Sequence, residues 1–234
     1  MTTRPFTALP RTMSHSLRAL AWLLRYPDAE LRSVAPQIAA ALRAEAALDG
    51  ARLTELDTLV ERLLRADALR TEADYVELFD RGRRTSLHLF EHVHGDSRDR
   101  GPAMIDLAQT YERAGLQMAP GELPDYLPVV LEFASTQPPR EGREFLREIA
   151  HVVRVIFSAL LERGSPYASV PAAVLDLAGE RAERVALPEE PPLDDSWAEP
   201  EAFGGCDNKG QSRPNEVQPV HIVRPARSAQ RRAA

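Results

Sequence analysis

DYVELFDRGRRTSLHLFEHVHGDSRDRGPAMIDLAQTYERAGLQMAPGELPDYLPVVLEF, from Asp74 to Phe133, is the stretch around which the rest of the chain reads as scaffold. Three of the six histidines, His88, His92 and His94, fall within seven residues of it. Arginine and aspartate then alternate through Asp96-Ser97-Arg98-Asp99-Arg100-Gly101. Glu122-Leu123-Pro124-Asp125-Tyr126-Leu127-Pro128 places two prolines at the start of an apolar helical stripe. A plain core helix needs none of these features, whereas a surface that holds a partner uses all of them.

Outward from this block, apolar residues repeat at helical spacing. Met13, Leu17, Leu20 and Leu24 form one face, with Thr12 or Ser14 as the expected cap and Tyr26-Pro27 as the stop. Val34, Ile38 and Leu42 form the next, and Ser33 ahead of Pro36 suits its first turn. Leu53, Leu56, Val60 and Leu63 make a third, and Tyr75, Leu78 and Phe79 a short fourth that ends at Asp80-Arg81-Gly82. Arg83 to Ser97 has no clean period and reads as a loop with one helical turn at most. Met104, Leu107, Ala108 and Tyr111 form a fifth stripe ended by Gly115, and Leu123, Leu127, Val130 and Leu131 a sixth with Pro124 and Pro128 in its first turns. A long seventh runs through Phe145, Ile149, Val152, Ile156 and Leu160 to Gly164, and Val170, Val174, Leu175 and Ala178 suggest a last one. No segment alternates over strand length. The expected fold is all-α, a single compact bundle of about seven to eight helices over residues 13–185.

Beyond Ala186 the composition changes. Seven of the nineteen prolines lie there and helical spacing is lost. Residues 186–234 are therefore expected to be a disordered tail, because such a segment buries too little surface to offset its ordering entropy. Trp197 and Phe203 are its only Trp and Phe, and either is able to dock back on the bundle.

Composition narrows the function classes. A net charge of −6 makes no electrostatic case for nucleic acid or a membrane surface. Lys209 is the only lysine, so the arginines reflect a general bias rather than an arginine-specific task. Cys206 is the only cysteine, which excludes an internal disulfide and a cysteine-rich zinc site. No apolar run reaches the ~20 residues of a membrane span, and Met1 to Arg11 lacks the apolar core of a signal peptide. The expectation is a cytoplasmic protein with no membrane insertion.

Two readings of the block come from different classes. His88-Leu89-Phe90-Glu91-His92 matches HxxEH, which on a helix would set two imidazoles on one face with a glutamate as base, the site of a metal-dependent hydrolase. No third ligand stands out among Glu141, Glu144 and Glu148. The competing reading is a binding surface. Asp96, Ser97 or Asp99 then caps the following helix, and Arg98 and Arg100 pair with acidic groups of a neighbour or a ligand. Lacking a convincing catalytic constellation, the residues favour a binding protein with no metal or other cofactor of its own.

The same residues resemble a known family. Tyr75 to Asp80, Ser86 to Gly101, Ala103-Met104, Glu122 to Pro128 and Leu131-Glu132-Phe133, with Tyr26-Pro27-Asp28 upstream and Leu193-Asp194, Trp197 and Gln218-Pro219-Val220 downstream, look like the delta subunit of respiratory nitrate reductase. This is the NarJ family of molybdenum cofactor assembly chaperones. The resemblance implies an all-helical protein without enzymatic activity. Its partner would be the N-terminal segment of the apo catalytic (alpha) subunit, kept competent for cofactor insertion before membrane docking. Tyr75, Phe79, Leu87, Phe90, Tyr126 and Leu127 are then candidates to line a groove for that segment, with Asp80, Asp96, Asp99, Glu122 and Asp125 meeting its basic groups and His88, His92, His94, Arg98 and Arg100 beside them.

The tail is expected to be dispensable for folding. In thermal unfolding, a 1–186 fragment should melt within a few degrees of the full chain. A much larger drop would show that Trp197 or Phe203 contributes to the core.

Overall fold

Nine α-helices follow the apolar stripes along the described residues: α1 Ser14–Leu23, α2 Ala29–Glu45, α3 Gly50–Arg65, α4 Ala68–Phe79, α5 Leu89–Val93, α6 Arg100–Arg113, α7 Leu127–Thr136, α8 Pro139–Glu162 and α9 Ser169–Ala178. The structure, a computed structural model, describes residues 12–95, 97–119 and 121–187. The expectations for Asp96 and for Trp197, Phe203, Cys206 and the rest of the tail beyond 187 lie outside these residues. Single 3-10 turns at Arg83–Thr85 and Pro166–Ala168 precede α5 and α9. The one strand-like pairing among the described residues is an isolated antiparallel bridge between His88 and Tyr126. The all-α expectation holds. Two short elements, at Arg83–Thr85 and Leu89–Val93, fall in the stretch that periodicity left as a loop.

α9 sits at the centre. Nearly all of it is apolar and buried, from Val170 to Ala178, as a helix enclosed on every side must be. α8 covers one side, burying Leu146, Val153, Ile156 and Leu160, and α1 contributes Leu17, Leu20 and Leu23, with Leu24 just past its end. Asp176 is the one acid of α9. Burial raises its pKa, and Arg52 of α3, whose Nε donates to it at 2.7 Å, pulls it back. α7 and α8 approach closely at Gly142, where an added Cβ would stand 2.9 Å from the Ala134 carbonyl oxygen. Two residues past the end of α8, Gly164, with φ of +60°, makes the left-handed turn that leads the chain towards α9.

Several local expectations are corrected. α2 begins at Ala29 with the Asp28 carboxylate accepting from Leu31 N at 2.9 Å. Pro36 is therefore interior to the helix rather than in its first turn, and Ser33 is not its cap. α7 starts at Leu127, which leaves Leu123 and Pro124 before it. The α6 stripe is only half-buried, with Tyr111 alone in the core. Neither Thr12 nor Ser14 caps α1. The cap comes from the end of α2, where Glu45 accepts from Ser16 N at 2.6 Å, His15 N at 3.2 Å and the Thr12 hydroxyl at 2.8 Å. A carboxylate at a helix N-terminus also faces the positive end of the helix dipole.

Burial pushes the Glu45 carboxyl up, but the hydrogen bonds from Ser16, Thr12 and His15 outweigh it and hold its pKa below 4.5. A depressed carboxylate stabilises the fold above its unfolded pKa, and that contribution is lost as pH falls through the folded value. Glu45→Gln should therefore cost about 1 kcal/mol at pH 7, the usual worth of a cap. The gap to wild type should close on acidification below pH 4.5. Chemical denaturation at several pH values measures both, and a gap that stays constant in acid would refute the capping role.

Candidate functional site

Where the ends of α1 and α4 meet the segments on either side of the His88–Tyr126 bridge, they enclose an open cleft of about 590 Å³. Arg25 and Tyr26 form one wall, Tyr75, Phe79 and Asp80 the floor and far wall, and Leu87, His88, Glu122, Leu123 and Tyr126 the remaining side. The floor is fixed by an aromatic cluster. Tyr75 packs against Phe79 at 4.7 Å and against Tyr26 at 5.7 Å, and both Tyr75 and Phe79 touch Tyr167. The Tyr75 hydroxyl donates to the Leu24 carbonyl at 2.7 Å, so this buried phenol is anchored and burial holds its pKa far above the ordinary value.

The bridge strands are joined by Leu127 N donating to the Leu87 carbonyl at 2.8 Å and Leu89 N to the Asp125 carbonyl at 3.0 Å. Between them the Asp125 side chain is wholly buried. Its Oδ2 accepts from Phe90 N at 3.1 Å, which caps α5, and its Oδ1 faces His88 Nδ1 at 3.4 Å. Arg100 Nη2 approaches the same carboxylate at 3.8 Å and donates to Glu91 at 3.4 Å. Tyr111 of α6 closes the site from behind, donating to the Pro124 carbonyl at 2.8 Å and packing on Phe133 at 4.5 Å.

Seven of the sequence-predicted residues line the cleft: Tyr75, Phe79, Asp80, Leu87, His88, Glu122 and Tyr126. The others do not. Asp125 is sealed inside and holds α5, so it offers no face to a partner. Leu127 belongs to the core, and Phe90 packs on His94 at 5.4 Å, away from the cleft. His92 donates from Nε2 to the Ser86 carbonyl at 2.9 Å. Arg98 and Asp99 are exposed outside the cleft. Asp99 stands at the N-cap of α6 yet its carboxylate takes no helix N–H, being engaged instead by the Ser97 hydroxyl. Arg100 does pair as expected, with acids of its own chain. Arg25, Tyr26 and Leu123 line the cleft without having been groove candidates. Arg25 lies some fifty residues before the block, and the only signal near it was the Tyr26-Pro27-Asp28 turn.

The HxxEH pattern does not assemble a hydrolase site. α5 begins at Leu89, so His88 stands outside the helix and the two imidazoles do not share a helical face. Each ring is engaged elsewhere, His88 by Asp125 and His92 by Ser86. Among the described residues no three His, Cys, Asp or Glu side chains come together so as to hold a metal ion.

Residues 28–170 match the family model of the nitrate reductase delta subunit. The chain belongs to the nitrate reductase delta subunit family. The nitrate reductase molybdenum cofactor assembly chaperone NarJ of Escherichia coli (strain K12) is 44% identical over 156 residues, which are 67% of this chain and 66% of NarJ. NarW of the same strain is 40% identical over 163 residues, 70% of this chain and 68% of NarW. The matches thus span about two thirds of these relatives. A crystal structure described as a redox enzyme maturation protein from Archaeoglobus fulgidus aligns with a TM-score of 0.51 at 20% identity, over 76% of this chain and 100% of the other. At that identity the likeness speaks to the fold alone. The family match takes in the cleft, since every lining residue except Arg25 and Tyr26 lies between 28 and 170.

In this member of the delta subunit family the two engaged histidines titrate in opposite directions. The hydrogen bond to Asp125 raises His88 above 6.5, against the opposing effect of burial, whereas burial lowers His92 below it. A raised histidine stabilises the fold below its unfolded pKa, and that contribution is lost as pH rises through the folded value. The stability difference between wild type and His88→Gln should therefore be larger at pH 6 and shrink above 6.5. Asp125→Ala should cost about 3 kcal/mol, because it strands the Phe90 N–H and removes the buried carboxylate that His88 and Arg100 face. Denaturant melts across pH measure both effects. A cost under about 1 kcal/mol for Asp125→Ala would mean that water replaces the carboxylate.

Proposed function

We propose that this protein is an assembly chaperone for a respiratory nitrate reductase. It binds the apo catalytic subunit through that subunit's N-terminal segment, in the cytoplasm, and keeps it competent for molybdenum cofactor insertion before membrane docking. The family match over residues 28–170 carries this reading. The cleft supports it chemically. Its aromatic floor suits an amphipathic helix laid in a groove, and Asp80 and Glu122 on its rim are placed to meet basic groups of the segment. No described helix is long and apolar enough to cross a membrane, which fits a chaperone that acts before docking. A transient holder needs reversible affinity, about −8 to −12 kcal/mol, or micromolar to nanomolar binding. No catalytic step is assigned to it, and the hydrolase alternative has no observation in its favour.

Calorimetric titration of the purified protein with peptides from the N-terminus of a nitrate reductase catalytic subunit tests the reading. Saturable binding is expected, weakened about tenfold or more by Tyr126→Ala. The Asp80→Asn, Glu122→Gln double variant should bind more weakly and lose much of its salt dependence, since exposed charges are screened within ~10 Å at 0.1 M salt. For a basic peptide, affinity should rise with pH as His88, the one histidine lining the cleft, gives up its charge. His88→Gln should flatten that profile, whereas His92→Gln and His94→Gln should not. A peptide that fails to bind wild type removes the proposal. One that binds with no response to any of these changes binds elsewhere.

A further inference from the structure

A second cleft, of about 750 Å³, lies between α3, α4 and the turn after α8. α4 serves both clefts, giving Tyr75 and Phe79 to the first and Arg70, Asp74 and Glu77 to this one. Nothing in the proposed chaperone function uses it. Its floor is apolar, built on Leu59, Leu63 and Leu78, and its rim carries Arg62, Arg70 and Arg163.

Two donors beside it lack an acceptor. One is the hydroxyl of Tyr167, a lining side chain only 7% exposed. The other is Nε of Arg32, whose two other guanidinium nitrogens donate to the carbonyls of Ala66 and Asp67, at 3.2 and 3.3 Å. Ala66 and Asp67 themselves line the cleft. Buried polar groups in native proteins nearly always have a partner, so donors left over at the wall of a cleft indicate an acceptor brought from outside.

The rim charges give the sign of that acceptor. The acids are already engaged: Asp67 caps α4 by accepting from Arg70 N at 3.0 Å, and Glu77 holds Arg81 at 2.7 Å. Asp74 meets Arg62 only loosely, at 3.7 Å. Two of the three rim cations are left without an acid. Arg70 has no ion-pair or side-chain hydrogen-bond partner among the described residues, and Arg163 donates only to the Leu78 carbonyl, at 3.5 Å. Tyr167 is held rigid by ring contacts to Tyr75 at 6.0 Å and Phe79 at 5.2 Å.

We propose that this cleft binds a small molecule with an apolar body and a terminal oxyanion, a carboxylate or a phosphate, that accepts from Tyr167 and the rim guanidinium groups. The volume falls in the range of small-molecule sites, about 300–1,000 Å³. The leucines take the apolar body, and planar guanidinium groups suit either oxyanion.

Phenyl phosphate, benzoate and the uncharged benzyl alcohol, titrated against the full chain at constant ionic strength with thermal unfolding as readout, test this. Phenyl phosphate or benzoate should raise the midpoint saturably, as a ligand of the folded state must, and the stronger of the two identifies the oxyanion. Benzyl alcohol should not. Tyr167→Phe and Arg70→Gln should each weaken the dissociation constant about tenfold, the worth of one charge-assisted hydrogen bond. Arg70 is exposed, so its variant remains informative even if Tyr167→Phe folds poorly. No saturable shift in wild type, an equal shift with benzyl alcohol, or unchanged binding in Arg70→Gln would overturn the proposal. A crystal structure of the soaked protein with only water at Tyr167 would do the same.

Discussion

Asp125 places a carboxylate where no solvent reaches it, and it survives there because three groups converge on that carboxylate while the residue's backbone is pinned as well. Its main-chain carbonyl joins the bridge to Leu89, its side chain caps α5 through Phe90 N, and His88 and Arg100 face it from two directions. Burying a charge costs several kcal/mol unless its partners are held in place. Here they are held by the same residue that needs them, since Asp125 fixes where α5 begins and α5 presents Phe90 N. Pro124 and Tyr126, its neighbours, hand the constraint on. The Pro124 carbonyl receives the Tyr111 hydroxyl and so fastens α6, and the Tyr126 ring lies 5.3 Å from that of His88 at the cleft.

α4 transmits the geometry across the bundle. Tyr75 and Phe79 lie one turn apart on it and meet Tyr167, so three rings from two distant parts of the chain form one unit. A floor made this way is stiff, because interlocked rings lose contact on any displacement. The walls contrast with it. Leu123 and Glu122 are exposed, and Tyr26, also exposed, is tied to Glu72 and packs on Tyr75.

Most of the helices were legible in the sequence because they bury a single stripe, and Leu17, Leu20, Leu56, Val60 and Ile156 all fell where periodicity put them. Boundaries were less so. The cap of α1 is Glu45, thirty residues away in sequence, and no local rule reports a carboxylate that arrives through tertiary packing. Pro36 misled for a related reason. A proline usually marks a first turn, but the surrounding packing tolerates it in the interior of α2. Within the site, adjacency in sequence stood in for adjacency in space. That worked for Tyr75 and Phe79, which share a helical face, and failed for Asp125, whose neighbours Glu122 and Tyr126 line the cleft while it turns inward.

The histidine pattern shows why a five-residue motif carries so little alone. HxxEH has chemical meaning only if all five residues share one helix, since only that register turns both imidazoles to the same side. Here Asp125 caps at Phe90, the helix begins one residue past His88, and the first imidazole is released from the register. One carboxylate thirty-seven residues downstream thus undoes the motif and, in the same act, delivers His88 to the cleft wall. The longer block succeeds where the motif fails because its residues specify this cap, the bridge and the aromatic floor together. Cap, bridge and floor meet at Asp125, His88 and Tyr126, which ties the block to one fold in a way that a spacing of two histidines and a glutamate does not.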